Sequence, residues 1–478
     1  MIHIPTVPRH LLSLVCAAVL LAGCVNARRQ SLPAVKLPAH WSAYDAAGAT
    51  TKTPCSAVSD TSEPCATALI PTDWWRGFGD PVLDRLIDDA LAVNNDLAAA
   101  AIRVYRAQLQ AGLVATNLAP TATLGGNGRV SRTPDSRQTS HASNLYGSLS
   151  YELDLWGKLA AQRDVARWKA AATQADHDAA RLSLIGTIAA LYWQIGYLNQ
   201  QIALGNANIA YAQRTLALVR TRHAAGAVSG LDVAQAEQSL SVQRAAQMQL
   251  IQQRTENRHA LAILFDRPPQ ARAAEPAALP HRVLPVVPAG LPADLLRRRP
   301  DLRAAECRLR ESLANVDVAR TRFYPSFTLT GSVGTSSASL ERVLSNPVAA
   351  LSLELALPFI QWNTMQLQIK VSRTQYEEAV VNFRQQLYTA LGEVENALSA
   401  RVQLEREGEQ RTLSLLQAQR AEALARARFV AGATSVQPWL DEQQRLRDAQ
   451  STSALNRLNQ LNNQMNLYKA LGGGDDAF

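Results

Sequence analysis

The sequence predicts a mainly helical chain that carries four strands of membrane-crossing length. Three observations lead there. Long stretches are rich in Ala, Gln, Leu and Arg, and aromatic residues make up only 6% of the 478 positions, a composition of long helices. In one stretch Leu184, Ile188, Leu191, Ile195, Leu198, Ile202, Gly205, Ile209, Ala212, Leu216 and Val219 recur at alternating steps of four and three, the seam of a coiled coil. Against that background "SNLYGSLSYELDLWGKL" (Ser143 to Leu159) alternates with a period of two. Leu145, Gly147, Leu149, Tyr151, Leu153 and Leu155 share one face, and Tyr146, Ser148, Ser150, Glu152 and Asp154 share the other.

The N-terminus reads as an export signal. A short polar start with Arg9 precedes an apolar run from Leu11 to Ala22, too short to span a bilayer. The run ends in "LAGC", Leu21 to Cys24, which resembles the lipobox of bacterial lipoproteins. The implied chemistry is a thioether-linked diacylglycerol on Cys24, cleavage before it, and N-acylation. Several acyl chains anchor stably, because each buried CH₂ contributes about 0.8 kcal/mol. A signal peptide with a chance Cys is the plainer alternative. Val25, not Asp, follows the Cys and permits outer-membrane sorting under the rule this resembles. Residues 1–23 are thus the signal peptide and 24–72 a lipid-anchored segment. Cys55 and Cys65 flank "PCSAVSDTSEPC", either as a disulfide or as two thiols, since spacing does not fix pairing. Cys307 lies in a helical stretch as a small packed residue.

The rest of the chain looks duplicated. "ATNLAPTATLGGNGRV" (115–130) parallels "ARTRFYPSFTLTGSVG" (319–334), and "SLSYELDLWGK" parallels "ALSLELALPFI", matching Glu152 to Glu354. "RTRHAAGAVSGLDVAQAEQSL" parallels "RARFVAGATSVQPWLDEQQRL", matching Arg222 to Arg428 and Gly226 to Gly432. The offset stays near 202 to 206 residues, a repeat of one large unit. The first repeat covers 73–267, a connector with seven prolines covers 268–292, and the second repeat covers 293–478.

Each repeat reads helix, strand, strand, long helix, tight turn, helix. Leu83, Leu86, Ile87, Ala90, Leu91, Leu97, Ala98, Ala101, Val104 and Tyr105 form the first helical face. The long helix runs from about Lys158 to Ala224, roughly 100 Å at 1.5 Å per residue. That suits a tube or a rod. The second repeat restarts the seam at Leu387, Leu391, Val394 and Leu398. Gly226 and Gly432 end the long helices at hairpin turns, and Ser229 and Ser435 are expected to cap the two returning helices. "RRRPDLRAAE" restarts a helix with Pro300 in its first turn.

The four strands are expected at about Thr121–Arg132, Asn144–Trp156, Ser326–Ser337 and Val348–Phe359. Each approaches the roughly 9–11 residues that a tilted strand needs to cross a membrane. One apolar and one wet row is what a transmembrane barrel requires. A small soluble sheet packed on the helices is the alternative cause of alternation. Four strands cannot close a barrel, since about eight only just fill their own interior. Open edges are not viable in lipid. Three copies would give a shared twelve-strand wall, with Leu145, Leu149 and Leu153 facing lipid and Glu152, Asp154 and Glu354 facing a lumen.

Several segments resemble the TolC-like outer-membrane factors, in the OprM-like lipoprotein branch: "LAGC", "WWRGFGDPVLDRLIDDAL", "SYELDLWGK", "RHAAGAVSGLDVAQAE", "GLPADLLRRRPDLRAAE", "YPSFTLTGSVG", "GEVENAL" and "NLYKALGGG". The resemblance covers nearly all of the mature chain, in order. It implies a trimeric α/β-barrel tunnel: a twelve-strand barrel in the outer membrane continued by a periplasmic barrel of coiled-coil helices. It also implies a passive exit duct of a tripartite efflux system, with a periplasmic adaptor and an inner-membrane transporter, most often of the RND type, as partners. The turns Arg222–Gly226 and Arg428–Gly432 match tips that adaptor hairpins engage; ending each helix is the plainer role of the Gly, and both can hold. Asp441 falls where the family has an aperture-narrowing carboxylate. Three copies of it would repel one another and favour cations. A solvated helix residue is its plainer reading. The branch usually has an apolar residue four before that Asp and an Arg three after. Here they are Gln437 and Gln444, with Pro438 and Trp439 in the turn.

The sequence lacks the motifs of other classes. It has no H-E-x-x-H, Cys-x-x-Cys, phosphate loop or G-x-S-x-G, so neither an enzyme nor a cofactor is expected. "GGNG" at Gly125 sits in a strand, and His177 between two Asp residues reads as solvated helix surface. The net charge of +8 is spread without a Lys/Arg block, which speaks against a nucleic-acid partner. The competing functional reading is a lipid-anchored periplasmic coiled-coil scaffold without a pore, for which the heptad seam alone would suffice.

Overall fold

The computed structural model describes Pro38, Trp41 and residues 70–132, 139–285, 298–337 and 347–474. The expected signal peptide, Cys24, Cys55 and Cys65 lie outside the described residues. The elements are α1 (Pro81–Val93), α2 (Asn95–Thr116), β1 (Thr121–Arg132), β2 (Thr139–Leu153), α3 (Lys158–Ala224), α4 (Gly230–Leu264), α5 (Pro300–Thr321), β3 (Ser326–Ser337), β4 (Pro347–Ala356), α6 (Trp362–Val430) and α7 (Gln437–Ala470). The order helix, strand, strand, long helix, turn, helix occurs twice, from α2 to α4 and from α5 to α7. The long members α3 and α6 have 67 and 69 residues, and the return helices α4 and α7 have 35 and 34.

The repeats do not pack as separate bodies. One compact unit is built on Arg106–Ala171 and Glu306–Arg384, the other on Ala172–Ala305 and Gln385–Phe478 with the described part of Leu37–Tyr105. Each unit therefore takes material from both halves of the sequence.

The first unit holds one antiparallel sheet in the order β1-β2-β3-β4. β1 and β3 have the expected limits. β2 and β4 end three residues early, at Leu153 and Ala356, and β2 starts earlier, at Thr139. The early ends have local causes. Asp154 turns its carboxylate to the start of α3, where it accepts the backbone N–H of Leu159 at 3.0 Å and of Ala160 at 2.9 Å. Gly157, at φ 72°, supplies the left-handed turn between them. In the second repeat Pro358 opens a short 3₁₀ turn, Pro358–Ile360, which ends the ladder.

The second unit is a packed bundle. The α3 seam is its spine, with Ile188, Ile195 and Leu198 fully buried. Trp74 stacks on Tyr468 with ring centroids 4.6 Å apart, and Phe78 meets Trp193 at 4.9 Å. The single helical face expected from Leu83 to Tyr105 is broken at Asn94. Its amide donates to the Leu264 carbonyl at 2.9 Å, while its oxygen accepts the Leu97 N–H at 3.0 Å. Beyond the break, Tyr105 on the expected face is exposed.

Arg299 ties three helices together. Arg299, almost fully buried, pairs with Asp301 at 2.8 Å and Glu393 at 2.7 Å, and donates to the Ala470 carbonyl at 3.1 Å. Burial would raise the Asp301 carboxyl, but the Arg299 guanidinium holds it below the usual carboxylate range. Among the described residues no helix is long and apolar enough to cross a membrane.

Candidate functional site

Two places carry the functional argument: the faces of the sheet and the paired turns of the long helices. The sheet register sorts side chains by polarity. Glu152, Thr328 and Glu354 occupy one cross-strand row, and Thr121, Ser150, Thr330 and Ser352 the next row on the same face. Hydroxyls meet across this face, Thr123 to Ser148 at 2.7 Å and Ser150 to Thr330 at 3.1 Å. The opposite face carries Leu124, Leu149, Leu329, Leu351, Leu353 and Leu355. Leu124 is 82% exposed, Leu351 78% and Leu353 63%. Soluble proteins rarely leave such a contiguous apolar face uncovered. Among the described residues β1 and β4 each keep one edge unpaired.

The acidic residues of the opening motif divide here. Glu152 lies on the polar face and pairs with Lys158. Glu354 lies in the same row, exposed. Asp154 lies just beyond the end of β2, where its carboxylate caps the start of α3.

The two turns share one backbone design. In the first, Ala227 N–H reaches the Arg222 carbonyl and Gly226 N–H the His223 carbonyl, both at 2.9 Å. In the second, Ala433 reaches Arg428 and Gly432 reaches Phe429, both at 3.0 Å. Gly226 and Gly432 both sit at φ 74°. This is a Schellman closure, and it accounts for the Gly of each R-x-x-x-G, which occupies the left-handed position four residues after the residue whose backbone carbonyl closes the loop.

The side chains break that symmetry. Arg222 sends its guanidinium to the other turn, donating to the Phe429 and Val430 carbonyls at 2.6 Å each and lying 4.8 Å from the Phe429 ring centroid. Arg428 is exposed, and among the described residues it makes no such bridge. Ser229 caps α4 as expected, in a reciprocal capping box with Asp232. Ser435 does not cap α7. The cap position is Val436, which has no side-chain acceptor; its N–H is taken by Asp232 from the other turn at 3.2 Å.

A shared core underlies both turns, with Leu216, Val219, Leu240, Phe429, Val436 and Trp439 buried together. Trp439 stacks on Phe429 at 5.3 Å. Its indole N–H donates to Glu422 at 2.8 Å, and the same carboxylate oxygen accepts the Tyr211 hydroxyl at 2.6 Å. Burial and that carboxylate push the Tyr211 phenol up to about 12. Asp441 is exposed and accepts from Gln437 at 2.6 Å. Of these residues Tyr211, Asp232 and Glu422 do not stand out in the sequence as site residues. Only Asp232 has a local signal, as the fourth residue of Ser-x-x-Asp. The other two depend on neighbours far along the chain.

The family model described as "Outer membrane efflux protein" matches residues 86–265 and 291–473. The chain belongs to that family. Among named relatives, the pyoverdine export outer membrane protein OpmQ of Pseudomonas putida is 33% identical over 86% of this chain and 89% of its own length. The OpmQ of Pseudomonas aeruginosa is 32% identical over 97% of this chain and 96% of its own. The solved open state of the Neisseria gonorrhoeae MtrE outer membrane channel superposes with a TM-score of 0.78 at 28% identity, covering 94% of this chain and 98% of that one.

As a member of the outer membrane efflux protein family, the chain is an outer-membrane component of efflux, and its architecture is the α/β fold of these channels. Its relatives are transport proteins, and its sequence holds no recognised catalytic motif. Among the described residues no group of three or more His, Cys, Asp or Glu side chains is arranged to hold a metal.

Proposed function

We propose that the chain is one third of an exit duct in a tripartite efflux system. Three copies pool their strands into one closed wall, with the leucine face in lipid and the row of Glu152, Thr328 and Glu354 toward an aqueous lumen. The observation that carries this reading is a sheet with unpaired edges on both sides and an uncovered apolar face. Lipid tolerates the apolar face but not the edges, so identical neighbours must complete the ladder. Acyl chains on Cys24 add a second anchor.

The paired turns around Gly226 and Gly432 dock a periplasmic adaptor, which joins the duct to an inner-membrane transporter of the RND type. Asp441 narrows the closed end, where three carboxylates repel one another and attract cations. The duct conducts passively. Relatives of similar identity are named for chemically different exports, pyoverdine at 33% and toluene at 29%, which supports selection upstream in the transporter. Purified protein in a planar bilayer should give discrete conductance steps, larger or more frequent in Asp441→Ala. Silence from both the wild type and that variant would sink the duct.

A further inference from the structure

We infer that the first helix turn clasps the second, and that Arg222 and Asp232 are positioning residues spent on this clasp rather than contacts offered to a partner. The chemistry is complementary at the two ends of the second turn. The last carbonyls of α6 lack partners within their helix and carry the negative end of its dipole. Arg222 meets two of them, at Phe429 and Val430, with a planar fork suited to paired acceptors. The first N–H groups near α7 lack acceptors, and there Asp232 supplies a carboxylate oxygen to Val436. A cation of the first turn therefore closes the outgoing helix, and an anion of the same turn opens the returning one.

Among the described residues nothing equivalent runs the other way. Arg428, the repeat partner of Arg222, is exposed, and the position equivalent to Asp232 is Pro438, which has no carboxylate to give. Sequence repetition makes the two R-x-x-x-G turns look interchangeable. The side chains make the first a holder and the second the held part. The consequence rests on the proposed docking role: the two turns present themselves to a partner as one body of fixed spacing, and of the two R-x-x-x-G arginines Arg428 is the one left exposed.

The test is amide hydrogen exchange on the intact protein in detergent, read over peptides covering 225–229 and 431–436. It needs no partner, so it stands even if adaptor docking fails. Arg222→Ala should speed exchange in the second turn roughly tenfold or more, the loss expected for charge-assisted hydrogen bonds. It should leave the sheet unchanged. Arg222→Lys, which keeps the charge but not the fork, should recover part of the protection. Arg428→Ala should leave the first turn as it was. The inference is overturned if Arg222→Ala changes only its own turn, or if Arg428→Ala loosens the first turn as much as Arg222→Ala loosens the second. Equal loss of protection across the whole chain in Arg222→Ala, with no rescue by Lys, would also overturn it, since that marks general destabilisation.

Discussion

Single residues decide where strands stop and turns close. Asp154 shows how a side chain next to a strand end can serve the helix that follows. Alternation carries it to the polar face with Glu152, yet its carboxylate ends on the N–H groups of Leu159 and Ala160. Removing such a cap costs about 1 kcal/mol. Asp154→Ala should therefore lower stability by about that much in denaturant-driven unfolding. Asp154→Asn, which can still accept, should lose less. Neither should alter the cation preference of the conductance, whereas a lumen carboxylate would. A preference that changes with Asp154→Asn would return the residue to the wall. Gly226 and Gly432 are the contrasting case, legible at once because their left-handed φ of 74° suits Gly above other residues.

At the scale of elements, the return helices are fixed by polar groups from distant parts of the chain. Asp232 is nearly buried, yet its carboxyl is held below the ordinary range. The Ser229 hydroxyl is the main cause. Burial works against it, and the backbone N–H groups of Ser229 and Val436 add to the lowering. A carboxyl lowered by folding stabilises above its unfolded value of about 3.9, and that contribution is lost as pH falls through the lower folded value. The turns should thus stay closed at pH 5 and loosen only below about pH 4. Tryptophan emission, taken as the difference between wild type and Trp439→Phe, reads this directly, because Trp439 lies buried against Phe429. Loosening near pH 6, or none in acid, would contradict the assignment. Asp232→Asn should flatten the response.

For the whole molecule, the exposed leucine face is the decisive feature. A lysine on a lipid face near the midplane costs roughly 2–4 kcal/mol, while a lumen position tolerates it. Leu353→Lys should reduce the protein recovered in outer membranes. Ser352→Lys, on the adjacent residue but the other face, should be recovered normally and shift the conductance away from cations. The particle extracted by detergent should contain three chains, and should still require detergent when Cys24→Ser removes the lipid. A water-soluble single chain from Cys24→Ser would instead favour the pore-free scaffold.

The periodic features are legible in the order of the residues alone. The α3 seam from Leu184 to Val219, the strand alternation, the paired glycine turns and the Pro300 helix start all arise from local sterics and from the spacing of apolar residues. The duplication is legible in the same way, since matching strings recur at a nearly constant offset. Which polar groups meet depends instead on how the helices pack. Asn94 breaks a helical face because the Leu264 carbonyl lies within reach, and Val436 needs no serine because Asp232 arrives from the other repeat. Arg222 and Arg428 stand in the same motif yet do different work. Hydrogen bonds between groups hundreds of residues apart depend on packing, and packing is not periodic.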